Sequence, residues 1–485
     1  MPNDWATFGA DLHLELRGPR LRAGLMDALR EAVRSGRLEA GTRLPSSRSL
    51  AADLGMARNT VADAYAELVA EGWLTARQGS GTRVARRAAP RRAAPSSAAA
   101  RPSTAGRPRP DAPAHNLKAG TPDLASFPRA EWLKAYRRAL TAAPNEAFGY
   151  GDPRGRTELR TALAEYLARA RGVHARPERI VICAGFVHGL MLLGEVLRDR
   201  GVRDVAVESY GLGLHADLLS RAGLGTPPLP FDGRGTRVEE LTGESGETEG
   251  PGEPREYGGV GAVLMTAAHQ FPLGGALPPD RRAAVVDWAR GSGGFVLEDD
   301  YDGEFRYDRQ RVGALQGLDP ERVVYLGTAS KSLAPGLRLA WMVVPEGLVG
   351  EVVAAKGAVD SSSSAPDQLA FAEFLGSGAY DRHVRAMRLR YRRRRDQLVA
   401  AVAAHSPRTR VSGIAAGLHA VLALPPGTEQ DVLRAAAWHG LAVQGVNHFR
   451  RPAVEPTLDG LVVGYGTPPD SGWQGALQAL CRVLP

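Results

Sequence analysis

With two cysteines, Cys183 and Cys481, in 485 residues, the chain can form neither a disulfide framework nor a cysteine metal cage, and no metal is expected. No run reaches the ~20 apolar residues that a membrane span needs, and no N-terminal stretch has the form of a signal peptide, so a cytoplasmic protein is expected. Lysine is missing from the first 114 residues, where 18 arginines face 11 acidic residues. That segment carries seven of the eight net positive charges and leaves the rest of the chain nearly neutral. A small basic domain ahead of a large neutral one predicts a polyanion reader joined to something else. The stretch from Arg86 to His115 lacks Leu, Ile, Val and aromatic residues, so it cannot build a core and reads as a flexible Ala/Arg/Pro linker. Its arginines either touch phosphates or merely keep a spacer solvated. What is present is ordinary: 44% hydrophobic and 24% charged residues, the composition of a globular protein of two or more domains.

Ahead of the linker three helical patterns appear. Leu21, Leu25, Leu29 and Val33 recur every fourth residue and stop at Gly36. "GTRLPSSRSLAADLG" offers a cap at Ser46 or Ser47 and a stop at Gly55. In "ARNTVADAYAELVAEGWL" the apolar face is Val61, Ala64, Tyr65, Leu68 and Val69, which leaves Arg58, Asn59 and Thr60 at the helix N-terminus, as in a helix that reads base edges. "LTARQGSGTRV" then predicts two short strands about a tip at Gln78, Gly79, Ser80 and Gly81.

These segments together, over residues 11–85, resemble the winged helix-turn-helix of GntR-family regulators. The resemblance implies double-stranded DNA as partner. Arg43, Ser47 and Arg48 would meet phosphates or bases, Arg58, Asn59 and Thr60 the major groove, and the Gly79, Ser80, Gly81 wing the minor groove. Ala62 departs from the pattern, since some relatives carry a further basic contact there.

From 116 to 485 the apolar runs "RIVIC", "DVAVE", "GAVLM", "GFVLE" and "RVVYL" are continuous rather than alternating, as in parallel strands covered on both faces. Helical patterns such as "RTELRTALAEYLARARG" accompany them, so a large α/β domain is expected, with a smaller α+β part after about 370. The arginine-rich helix "RLRYRRRRDQLVAAVAAH" reads as a solvated face. Parallel sheets bind ligands at the carboxyl ends of their strands. Asp299 and Tyr301 follow one run, Thr328 and Lys331 another, with Arg338 seven residues on. An amine for an aldehyde, a carboxylate for a pyridinium and a guanidinium for a phosphate are what pyridoxal 5′-phosphate requires together. "ERIVICAGFVHGL" adds a strand, Gly185, and a helix whose first amides, at Phe186 and Val187, can also hold phosphate.

"YGDPRGRTELR", "HQFPLGG", "LEDDYDGEFRY" and "GTASKSLAPGLRLAW" resemble fold type I aminotransferases, and with the front domain the chain resembles the MocR-type regulators, most of all their vitamin B6-responsive PdxR branch. The resemblance implies that Lys331 carries the internal aldimine, that Asp299 pairs with the ring nitrogen and Tyr301 with the ring hydroxyl, and that Thr328 and Arg338 hold the phosphate. His269 and Gln270 would sit near the ring, and Tyr150 would reach the partner subunit's phosphate in a homodimer. Two departures stand out. Where the family has Pro-Gly-Tyr the chain reads "VESYGLGLH", so Tyr210 is expected to take over ring stacking while Leu212 fills the tyrosine slot. Where the family binds a substrate carboxylate with arginine, "GLVVGYG" has Val462, which supplies no donor. The expectation is a regulator whose DNA binding responds to pyridoxal phosphate and which transaminates weakly or not at all. The alternatives are sensing of an amino acid or amine, a working aminotransferase, or a reader joined to a relic domain.

Overall fold

The computed structural model describes residues 21–77, 81–86, 113–242, 257–307, 312–360 and 362–485, and the chain divides into two units, Met1–Arg109 and Pro110–Pro485. Most of the expected linker, and the tip positions Gln78, Gly79 and Ser80, lie outside the described residues. No helix of the described residues is long and apolar enough to cross a membrane.

The front unit has helices α1 (Leu21–Arg34), α2 (Ser47–Leu54) and α3 (Arg58–Ala70), followed by an antiparallel hairpin of β1 (Leu74–Arg77) and β2 (Gly81–Val84). Leu25, Leu29 and Val33 of α1 are buried, whereas Leu21 at the first helical position is exposed. They pack with Leu50 of α2 and with Val61, Ala64, Tyr65 and Leu68 of α3. Ser46 caps α2 by accepting the Ser49 N–H, and Gly55 closes it at φ 64°, a conformation that costs glycine little. The Tyr65 hydroxyl donates to the Pro45 carbonyl at 3.1 Å, which ties α3 to the turn before α2.

In the second unit all five continuous apolar runs are strands of one seven-stranded sheet. In chain order these are β3 (Ile180–Cys183), β4 (Asp204–Glu208), β5 (Pro228–Leu229), β6 (Val260–Met265), β7 (Phe295–Asp299), β8 (Val323–Thr328) and β9 (Ala340–Val343). Their spatial order is β3-β9-β8-β7-β6-β4-β5. Pairing is parallel from β8 through β5, but β9 runs antiparallel to both β8 and β3. The first run therefore joins the sheet only through β9, which the sequence shows as the tail of a motif rather than as a strand. Helices α4 (Thr157–Arg171), α5 (Phe186–Asp199) and α6 (Pro279–Ser292) bury apolar residues against the sheet, as continuous runs require.

The smaller part is α+β. Strands β10 (Arg410–Ser412), β11 (Ala420–Ala423), β12 (Gln444–Gly445) and β13 (Gly460–Val463) form a sheet of order β10-β11-β13-β12. Helix α7 (Ala379–His405) packs on it, and here the solvated-face expectation fails for one arginine. Arg394 falls in phase with the buried stripe Met387, Tyr391, Leu398 and Val402 and is itself only 1% exposed. Its guanidinium donates to Asp470 at 2.6 Å, Asp123 at 3.2 Å and the Pro468 carbonyl at 2.7 Å. The charge is buried because partners distant in sequence satisfy it, which charge counting along one helix cannot detect.

Candidate functional site

The front unit presents its polar groups at the starts of α2 and α3. Arg43, Arg48, Arg58 and Asn59 are exposed, and Ser47 and Thr60 half-buried. Arg58 is the first residue of α3, where free amides and the dipole favour phosphate. Gly81 has φ 75°, and a Cβ there would lie 3.1 Å from Arg43 Nε, so the start of β2 and Arg43 share one space. Arg77 and Arg83, exposed on the hairpin, add charge that the motif reading did not single out.

In the second unit β7 and β8 pair in parallel, with Asp299 opposite Leu326, so residues just beyond both strands open on one sheet edge. A cavity of about 460 Å³ lies there, and Phe186, Val187, Asp299, Tyr301, Thr328, Lys331 and Arg338 all line it. Lys331 Nζ donates to the Gly120 carbonyl at 2.6 Å. Burial lowers the pKa of this amine, while Asp299 and Asp302 pull it up. Burial pushes the Asp299 carboxyl well above the usual carboxylate range, with Lys331 opposing. Among the described residues Asp299 Oδ1 is buried without a hydrogen-bond partner, an acceptor available to an incoming N–H.

Arg338 and Gly185 build the opposite end. Arg338 is the one non-glycine residue of the described chain at positive φ, 54°, and its guanidinium donates to the Ala184 carbonyl. Gly185, at φ 97°, caps α5, and a Cβ on it would come within 2.5 Å of Arg338 Nη2. Only glycine lets the guanidinium lie across the helix N-terminus, where amides and arginine together suit a phosphate. Thr328 Oγ1 bonds Ser330 Oγ at 2.9 Å and accepts the Ser330 N–H at 3.1 Å, which fixes two hydroxyls at the same end. These groups fit pyridoxal phosphate at both of its poles.

Other expected residues stand elsewhere. His269 and Gln270 do not line the cavity. His269 Nδ1 lies 3.0 Å from the Tyr301 hydroxyl and 2.8 Å from Asp302 Oδ2, one layer behind the lining. The ligating atoms of His269, Asp302 and His419 lie within 4.8 Å of one another, but His269 Nδ1 and Asp302 are bonded to each other. Gln270 Nε2 donates to Glu208 and Thr236 and secures the end of β4. Tyr150 is 98% exposed on the single chain.

Tyr210 also stands apart from the cavity lining. It is buried in an apolar cluster with Val421, Val446, Phe449 and Val462, its ring edge-on to Phe231. The two departures in sequence thus meet in one cluster, and beyond Tyr210 the side chains that line the cavity from this segment include Leu212, Leu214 and His215. Sequence reasoning missed His215, Ser330, Gly120, Gln444, His419 and Arg451, all in the lining. Burial, with Lys331 contributing, pushes the His215 imidazole down to about 4, and its ring centroid lies 4.6 Å from that of Phe186. Arg451 brings a guanidinium to the cavity, donating to Thr226 Oγ1 at 3.2 Å. Gly120, Gln444 and Arg451 come from distant segments and carry no local signal.

Residues 21–84 match the model of bacterial regulatory proteins of the gntR family, and residues 113–456 that of aminotransferase class I and II. The chain is 33% identical over 462 residues to the probable rhizopine catabolism regulatory protein MocR of Rhizobium meliloti, covering 91% of this chain and 89% of that one. It is 32% identical over 455 residues to the HTH-type pyridoxine biosynthesis transcriptional regulator PdxR of Corynebacterium glutamicum, covering 91% of each. Its fold is similar to that of an archaeal alanine:glyoxylate aminotransferase, with TM-score 0.68 and 24% identity over 76% of this chain and 90% of that one. A second fold neighbour is LysN, the α-aminoadipate aminotransferase of Thermus thermophilus, complexed with N-(5′-phosphopyridoxyl)-L-leucine, with TM-score 0.64 and 23% identity over 76% and 91% of the two chains.

Proposed function

Because the chain belongs to the MocR-type transcriptional regulators, a gntR-family reader joined to an aminotransferase class I and II domain, we propose that its DNA binding responds to pyridoxal phosphate held around Lys331. The observation that carries this is the buried, unpartnered Oδ1 of Asp299, in a cavity that also holds a buried lysine amine and an arginine laid over a helix N-terminus. Pyridoxal phosphate supplies an aldehyde that an amine captures reversibly and a pyridine ring that draws electrons from the captured group. Lys331 is the capturing amine. Asp299 would favour a protonated ring nitrogen, and Tyr301, whose hydroxyl is held by His269 and through it Asp302, would meet the ring hydroxyl. Thr328, Ser330, Arg338 and the first amides of α5 would hold the phosphate.

Control of vitamin B6 synthesis is the biological reading that the named function of the Corynebacterium relative supports. In this reading the protein acts in the cytoplasm as a homodimer, with the exposed Tyr150 reaching the partner's phosphate, Arg43, Ser47, Arg48, Arg58, Asn59 and Thr60 on an operator, and the wing of Gly79, Ser80 and Gly81 in the minor groove. The cofactor regulates only by binding one arrangement of the domains better than another. The test is DNA affinity at fixed salt, with and without pyridoxal phosphate, using the DNA that flanks the gene. The natural chain is expected to change affinity severalfold and Lys331→Ala not to respond. An unresponsive natural chain would sink the proposal.

Arg451 favours a second reading. It provides in the cavity the guanidinium that Val462 lacks, so an amino acid or amine could be the sensed ligand. An amino donor that shifts the absorbance of the bound cofactor and changes DNA affinity would favour this reading. Turnover with a keto acid would instead make the protein an enzyme.

A further inference from the structure

A second cavity, of about 510 Å³, lies between the C-terminal end of α4, the segment after β7 and the first half of α7, and shares no lining residue with the cavity around Lys331. Six arginines line it: Arg169, Arg171, Arg306, Arg385, Arg388 and Arg392. Arg171 and Arg169 are matched by acids. Arg171 holds Asp300 at 2.6 and 2.8 Å, and Arg169 holds Asp381 at 2.8 Å. Arg388 donates through Nε and Nη2 to the Glu304 carbonyl, at 3.0 and 2.7 Å, so its guanidinium is held in place by a neutral acceptor. Burial pushes the Glu304 carboxyl up to about 7, so near neutral pH it supplies only part of a countercharge, and the hydroxyls of Tyr166 and Tyr380 approach it at 3.4 and 3.3 Å. Arg385 and Arg392 make no ion pair with any described residue.

Arg385, Arg388 and Arg392 are spaced three and four residues apart on α7, so they share one helical face. Three like charges on one face repel, and folding alone gives no reason to gather them beside a concavity. A guanidinium offers parallel N–H donors that match phosphate oxygens, and a cavity of this size falls within the ~300–1,000 Å³ of small-ligand sites. A flat basic stripe would suit a nucleic-acid backbone, whereas these groups border a concavity that is partly open to solvent. We propose that this cavity is a second anion site, which takes a small phosphorylated molecule on Arg385, Arg388 and Arg392, separately from the cofactor cavity.

The test is calorimetric titration of the full chain, at constant ionic strength, with inorganic phosphate and with adenosine 5′-monophosphate as probes. The double variant Arg385→Gln/Arg392→Gln isolates the site. These two side chains are exposed and make no ion pair among the described residues, so the fold should be kept, and phosphate held at the Arg338 end of the other cavity is untouched. The natural chain should bind at least one probe with a component that the double variant loses or weakens about tenfold or more, as expected on removing two charged hydrogen-bonding partners. Equal binding by the two proteins, or no binding of either probe, overturns the proposal. So does a double variant that loses DNA affinity while its probe binding is unchanged, because the arginines would then serve nucleic acid.

Discussion

Gly185 and Arg338 constrain each other at the scale of single residues. The arginine adopts a left-handed conformation that β-carbon sterics disfavour, and the glycine leaves out the one atom that would displace the guanidinium. Gly185→Ala should therefore weaken pyridoxal phosphate binding by about tenfold or more, through a displaced Arg338 and through a backbone angle that alanine resists. Absorbance titration of the cofactor measures the loss, and unchanged affinity would show that the phosphate does not sit there. Lys331, Asp299, Thr328 and Arg338 were legible in sequence because each follows or flanks an uninterrupted apolar run whose end is a strand end. Tyr210 was not, because its neighbours give no sign of which way the ring turns. It turns into the cluster of Val446, Phe449 and Val462, residues far along the chain. The depth of His269, behind the cavity lining, was not legible for a similar reason: its partners Tyr301 and Asp302 decide it.

At the scale of elements, the reader's helices were legible down to their ends, since Gly55 and the serines before α2 are local stop and start signals. The choice between Ser46 and Ser47 was not, because both can cap. The structure places the bond at Ser46. Ser46→Ala should lower the stability of the front unit by about 1 kcal/mol, seen as a lower urea midpoint with the slope kept. Ser47→Ala should leave the midpoint nearly unchanged, and the opposite ranking would move the cap. Function at this scale depends on the start of α3. Arg58→Ala should weaken binding to all DNA sequences if the side chain meets a phosphate, lowering the slope of log affinity against log salt by about one. If it reads a base, the loss should appear with the operator and not with random DNA. In α7 the sequence misled, because a run of arginines looks the same whether it faces water, Asp123 or a cavity.

At the scale of the whole molecule the open question is whether the second unit processes a substrate or reports on a cofactor, and the answer turns on Val462. Its side chain is fully buried in β13, in the cluster that Tyr210 also enters. The place where related enzymes would put a carboxylate-binding arginine is therefore packed with apolar atoms and is not an open slot lacking one residue. Restoring the arginine should then fail. Val462→Arg places an unpaired charge among Val421, Val446 and Phe449, at a cost of several kcal/mol, about 3–5 by analogy with broken buried pairs. The expected result is a lower thermal midpoint for the second unit and no keto acid formed from a broad panel of amino donors, in the variant as in the natural chain. A variant that keeps its midpoint and gains turnover would show that the cluster yields easily. The natural protein would then be an enzyme one residue from activity, and its regulatory role would need another explanation.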